Sequence, residues 1–132
     1  MPVLARHEEG AVFRLSTRGH EWVSDNSPQY GGTDRGPMPS ELLFAAAASC
    51  FGQAVLHVAK KMHKRIGELT LEVTGTKDAE RLRIGSIAIR LAGVAEPGVL
   101  ERVATLAKKY CYVLNSLDVP VTFEVTESPP TA

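Results

Sequence analysis

Hydrophobic and polar residues alternate along Leu69–Thr76, with Leu69, Leu71 and Val73 on one face, and again along Leu82–Leu91, with Ile84, Ile87 and Ile89. A two-residue period belongs to a half-buried strand, so both segments are predicted strands, with the polar Lys77-Asp78-Ala79-Glu80 as a hairpin tip between them. Shorter strand-like runs, Ala11–Leu15 and Glu21–Ser24, flank Thr17-Arg18-Gly19 and predict an N-terminal hairpin. Val119–Val125 predicts a closing strand, and Ser128–Ala132 a Pro-rich tail that frays.

Elsewhere the period lengthens. Pro39-Ser40-Glu41 opens a helix predicted to reach about Lys64, with Ser40 as N-cap, Glu41 in the first turn and Gly67 beyond its end. From Leu42 to Ala59 this helix is apolar on nearly every face, which predicts burial on all sides. One small domain rarely encloses a helix that fully, so a second copy of the chain is the expected cover. Pro97-Gly98 starts a second helix to about Tyr110, with Val99, Leu100, Val103, Leu106 and Ala107 in one stripe. Asp25–Pro39 collects glycine, proline and small polar residues and predicts a loop without regular structure. Cys111–Leu117 predicts a connection. The order β-β-α-β-β-α-β is an α+β architecture, expected as a single domain over 1–132.

Composition narrows the partners. Fifteen basic residues balance fifteen acidic ones, which gives no pull toward nucleic acid or an anionic membrane. The basic run Lys60, Lys61, His63, Lys64 and Arg65 sits at the predicted helix C-terminus, where the helix dipole favours cations. Leu42–Ala59 raises the question of a membrane span, but it is Ala-rich and interrupted by Ser49, Gly52, Gln53 and His57, where a lipid-spanning helix carries more Leu, Ile and Phe. Met1–Gly10 contains Arg6, His7, Glu8 and Glu9 and shows no leader pattern. A soluble, cytoplasmic protein is expected. In a reducing compartment two cysteines serve as free, catalytic or redox-sensing thiols more often than as structural ones.

Candidate chemistry centres on those cysteines. A buried free cysteine usually acts as a small hydrophobe. Cys50, Gln53 and His57, however, share one face of the apolar helix, so its polar groups converge there. Such a stripe serves equally as an internal hydrogen-bond network. Cys111 follows the second helix, at an end whose dipole disfavours a thiolate, and is expected to keep the less perturbed thiol. The cysteines lie 61 positions apart with no Cys-x-x-Cys, and His7, His20, His57 and His63 match no zinc spacing, so neither metal nor cofactor is expected. No Ser-His-Asp signature, P-loop or Gly-x-Gly-x-x-Gly occurs.

Three stretches together resemble the OsmC/Ohr family of osmotically inducible and organic hydroperoxide resistance proteins. They are Gly31-Gly32, Gly36-Pro37-Met38-Pro39-Ser40-Glu41-Leu42-Leu43 and the alanine-rich run to Cys50; Tyr110-Cys111-Tyr112-Val113-Leu114-Asn115-Ser116-Leu117; and Val119–Val125. The resemblance implies an intertwined homodimer with sites at the subunit interface. It also implies reduction of organic hydroperoxides through a Cys50 sulfenic acid and a Cys50–Cys111 disulfide, recycled by a lipoyl-type or small dithiol. An Arg and a Glu support the reactive cysteine in that family. Glu41 matches the acid; Arg18 is the best match for the cation, with Arg35 the fallback. In the dedicated organic-hydroperoxide branch the acid stands ten residues before the cysteine, a place held here by Ser40, and the segment from hairpin to helix is longer. Both features are similar to the broader OsmC-like branch.

Glu41 and Cys50 stand nine residues apart on one helix. Nine steps rise roughly 13.5 Å, with the side chains about half a turn apart, so they cannot touch. If Glu41 serves a Cys50, either Arg18 bridges a long gap or the acid comes from a partner subunit, and the all-round apolar helix favours the partner. Phe44, Phe51, Met38 and Tyr110 are candidates for an apolar mouth, though core packing is the expected duty for each. Two rival functions remain open: a non-catalytic protein holding a small apolar ligand, and a thiol redox sensor coupled to a partner protein.

Overall fold

The computed structural model describes residues 1–131, which divide into two compact units, 1–43 and the remainder. The first holds β1 (Leu4–Glu9), β2 (Val12–Thr17) and β3 (His20–Ser24), an antiparallel sheet in chain order. β1 is an addition to the predicted hairpin. Its residues are exposed on both faces, so no alternation marks it in the sequence. Arg18 and Gly19 turn β2 into β3 with φ of 49° and 85°. Positive φ at both central residues suits a two-residue hairpin turn.

The loop after β3 is built around one carboxylate. Asp25 Oδ1 accepts the Asn26 N–H, and Oδ2 accepts the Thr33 N–H, the Thr33 hydroxyl and the Arg35 N–H. The Arg35 amide leads in holding the Asp25 carboxyl down at about 2; burial works against it, and the Thr33 and Asn26 donors assist. A Cβ on Gly32 would collide with the Asn26 carbonyl, and one on Gly36 with the Val23 carbonyl, so both positions require glycine. The expectation of no regular structure is corrected at one point: Pro28–Tyr30 forms a single 3-10 turn.

α1 (Pro39–Lys61) opens in the first unit and runs through the second. Its N-cap is Met38, whose carbonyl accepts the Leu42 N–H, and the Glu41 carboxylate reaches back to the Met38 N–H at 2.8 Å. This is the carboxylate half of a capping box, and it displaces Ser40 from the predicted capping role into the first turn. At the other end His63 takes φ 54°, its N–H bonds the Lys60 carbonyl and the Lys64 N–H bonds that of Ala59. That Schellman pattern stops the helix well before Gly67.

In the second unit β4 (Gly67–Asp78) pairs antiparallel with β5 (Arg83–Val94), and β6 (Val121–Ser128) pairs parallel with β5. Between β5 and β6 come α2 (Val99–Ala107), a 3-10 turn at Lys108–Tyr110 and the single-turn α3 (Tyr112–Asn115). The predicted second helix is thus shorter, and the predicted connection contains a helical turn. Ala47, Phe51, Val55 and Val58 of α1 and Leu100, Val103 and Ala107 of α2 pack with Ile87, Ile89 and Leu91 of β5 in one core. Glu127 on β6 caps α2, accepting the Gly98 and Leu100 N–H groups at 2.8 and 2.9 Å. The predicted tail is corrected at Ser128, which pairs with Val94 and accepts the Ala95 N–H; its last residue, Ala132, lies outside the described residues.

α1 is long and apolar enough to cross a bilayer, yet its inner face forms the heart of this core. Its burial is one-sided. Ala45, Ala46, Ser49, Gln53, Leu56 and His57 are exposed in the single chain, so one copy alone does not enclose the helix.

Candidate functional site

The core helix brings Cys50 to the cysteine after α2. Cys50 is half-buried on α1, one residue before the fully buried Phe51, while Cys111 is wholly enclosed. The Cys50 side chain is near enough to Cys111 to help raise its thiol. Of the residues expected to act together, these are the two the second unit joins, and neither is in a disulfide.

Their environments differ. Burial pushes the Cys111 thiol up to about 11. The amides of Leu114 and Val113 oppose that rise, although the sulfur makes no capping hydrogen bond to α3, and the neighbouring Cys50 adds to it. The expectation of a little-perturbed Cys111 is therefore wrong in size. Its direction, against the thiolate, agrees, but desolvation is the main cause in place of a helix end. At neutral pH Cys111 is a thiol, held beside Cys50 and away from water.

A cavity of about 420 Å³ opens over Cys50, bounded by Gln53, His57, Lys109, Tyr110 and Tyr112. The polar stripe read from the spacing of Cys50, Gln53 and His57 thus faces this space. Gln53 donates to Ser49 Oγ at 3.3 Å, and the His57 ring stands edge-on to Tyr110 with centroids 6.0 Å apart. Tyr110 lines the cavity. Phe51 does not: it is fully buried, edge-on to Phe123 at 6.0 Å. Phe44 packs against the same core. Lys109, Tyr112 and Asn115 escape sequence reasoning, because only the 3-10 turn and α3 aim them at the cavity; their closeness to Cys111 in the chain is the signal that could have found them.

The remaining candidates belong to the first unit. Arg18 occupies the β2–β3 turn and Glu41 is engaged with its own helix N-terminus. The Arg35 guanidinium bonds Glu9 at 3.0 Å. Neither arginine is paired with Glu41 within the chain. Among the described residues no three His, Cys, Asp or Glu side chains converge as metal ligands.

Comparison with known proteins places the chain in a family. The model of the OsmC-like protein family matches residues 32–126. Comparison with curated proteins finds no match. Among solved structures, an OsmC-like protein of unknown function from Vibrio cholerae is 18% identical with a TM-score of 0.84, over 95% of this chain and 97% of its own. An OsmC-like protein from Mycoplasma pneumoniae is 17% identical with a TM-score of 0.86, over 96% and 95%. The organic hydroperoxide resistance protein OhrB of Bacillus subtilis is 24% identical with a TM-score of 0.65, over 95% and 96%. At these identities the solved structures establish the shared α+β fold.

Proposed function

We propose, from the premise that the chain belongs to the OsmC-like protein family, that it is a thiol-dependent peroxidase reducing organic hydroperoxides through Cys50 and Cys111. The observation that carries this reading is the meeting of two thiols 61 positions apart beneath an open cavity, one half-buried and one enclosed. The substrate class follows relatives named for organic hydroperoxide resistance.

The half-buried sulfur is the one a peroxide can reach. The Cys50 thiolate attacks the terminal peroxide oxygen, the O–O bond breaks, and the alkoxide takes a proton to leave as an alcohol. Cys50 is then a sulfenic acid, oxidised by two electrons. Cys111, kept protonated by burial, does not compete for peroxide. It condenses with the sulfenic acid, forming the Cys50–Cys111 disulfide and releasing water. A dithiol, lipoyl-type or small, returns both thiols and leaves as its own disulfide. We assign Arg18 to stabilising the Cys50 thiolate and Glu41 to orienting the guanidinium, the acid reaching in from a second copy that covers the exposed stripe of α1. A cytoplasmic homodimer needing neither metal nor cofactor completes the reading.

Thiol counting during exposure to tert-butyl hydroperoxide tests it. The enzyme is expected to lose both thiols, show a Cys50–Cys111 bridge by mass spectrometry, and turn over repeatedly with dithiothreitol or dihydrolipoamide. A single oxidation without turnover identifies a redox sensor, and unreactive thiols identify a binding protein; either outcome defeats the peroxidase. Arg18→Ala is expected to slow peroxide consumption on the order of a hundredfold, as loss of one preorganised donor does elsewhere. A variant as fast as wild type moves the role to Arg35.

A further inference from the structure

The far end of α1 carries charge that no partner in the fold takes up. Lys60, Lys61, His63, Lys64 and Arg65 fall within six positions. Elsewhere Arg14, Arg35, Arg81 and Arg90 pair with Glu8, Glu9, Asp78 and Glu72. Among the described residues, none of the five side chains at the helix end makes an ion pair or a hydrogen bond. They are not needed to close the helix either, because the main-chain amides of His63 and Lys64 already bond the Lys60 and Ala59 carbonyls. The backbone that follows is unusual. His63 and Glu68 both take left-handed φ, 54° and 49°, and the β4–β5 register shifts between Gly67 and Thr70. Left-handed non-glycine residues and a bulge in one short connector are a local cost, of the kind that gathers where side chains must be aimed.

His63, Lys64 and Arg65 all line a cleft of about 470 Å³, whose apolar wall is Val94, Val99 and Pro130. It shares no lining residue with the cavity over Cys50. Its one acidic residue, Glu96, is paired with none of the cations. The start of α2 adds no free donor, since the Gly98 and Leu100 amides are taken by Glu127 and the Val99 amide by the Glu96 carbonyl. Attraction for an anion therefore comes from the side chains. We propose that this cleft binds a phosphorylated small molecule with an apolar body and hydroxyl groups, the chemistry of a nucleoside phosphate. Lys64 and the forked Arg65 guanidinium receive the phosphate oxygens, joined by His63 when it is protonated. The apolar body lies on Val94, Val99 and Pro130, and a hydroxyl donates to Glu96, which a bare phosphate dianion cannot do. Because the cations are solvent-exposed, binding weakens with salt. The site stands independently of the peroxidase reading.

Isothermal titration calorimetry on the full chain at low salt compares ADP with adenosine and with pyrophosphate. ADP is expected to bind about tenfold more tightly than adenosine, the span of two exposed ion pairs, and more tightly than pyrophosphate, which lacks the apolar body. The double variant Lys64→Gln/Arg65→Gln should lose that tenfold for ADP. Lys64→Arg/Arg65→Lys should keep it, which separates lost charge from a damaged fold. Lys108→Gln removes a cation outside the cleft and should leave ADP affinity unchanged. The assignment is overturned if ADP does not bind, if pyrophosphate binds as well as ADP, or if the glutamine pair and Lys108→Gln behave alike. Co-sedimentation with phosphatidylglycerol vesicles in the absence of ADP binding places the phosphate on a lipid and overturns the small-molecule ligand. None of these outcomes touches the peroxidase reading, because no peroxide enters the measurement.

Discussion

The unit formed by residues 1–43 and the unit that follows are stabilised by different means. In the first, the buried side chains are one hydrophobic residue, Val12, and two polar ones, Ser24 and Asp25. Its order comes from strand pairing and from four donors converging on one carboxylate. In the second, a continuous apolar cluster joins α1, α2 and the sheet, and even one of the cysteines belongs to it. Burial of hydrocarbon is tolerant of detail, whereas a hydrogen-bonded knot depends on each atom being in place. The chemistry follows the same division: the enclosed thiol takes its character from the apolar core, and the candidate supporting charges lie in the unit built from polar contacts.

The comparison can be broken most severely from the apolar side. Phe51→Ala removes a fully buried ring and is expected to destabilise the protein by about 3–5 kcal/mol, read from urea unfolding. Gly32→Ala strikes the polar knot, where the new methyl meets the Asn26 carbonyl; a loss on the order of 3 kcal/mol, the upper end for overpacking, is expected by the same measurement. Glu127→Ala strips the carboxylate from the N-terminus of α2 and should cost about 1 kcal/mol, with faster hydrogen exchange in the first turn of α2. The gentlest probe is acid, which leaves neutral stability untouched. The Asp25 carboxyl is lowered from 3.8 to about 2 in the folded chain, so its contribution is complete above the unfolded value and lost as pH falls toward 2. Amides of Asn26, Thr33 and Arg35 are expected to lose exchange protection across that window in wild type. If Asp25→Asn shows the same acid dependence, the carboxylate is not its source.

What the sequence discloses follows the same contrast. Alternation and a long apolar helix announce α1, β4, β5 and β6, because each lays a regular stripe against one core. β1 is hidden: a strand exposed on both faces has no period to read. The end of α1 is misplaced because His63 adopts the left-handed conformation that Gly67 was expected to supply. In the candidate site, the spacing of Cys50, Gln53 and His57 reveals one wall of the cavity. The opposite wall of Lys109, Tyr110 and Tyr112 depends on a 3-10 turn and a four-residue helix, too short to leave a periodic signature.

The parallel pairing of β5 with β6 also has a bearing on how quickly the cysteines can find each other after synthesis. Each rung, from Ile87 with Val121 to Val94 with Ser128, links positions 34 apart, whereas the β4–β5 ladder starts from Asp78 and Arg83. Ring closure over the longer span carries the greater entropic cost, so the hairpin is expected to zip first and the third strand to dock afterwards. Cys111 lies inside that closing arc. Until β6 docks, the newborn chain carries two unacquainted thiols, and Cys50 and Cys111 are expected to meet only with the final step of folding.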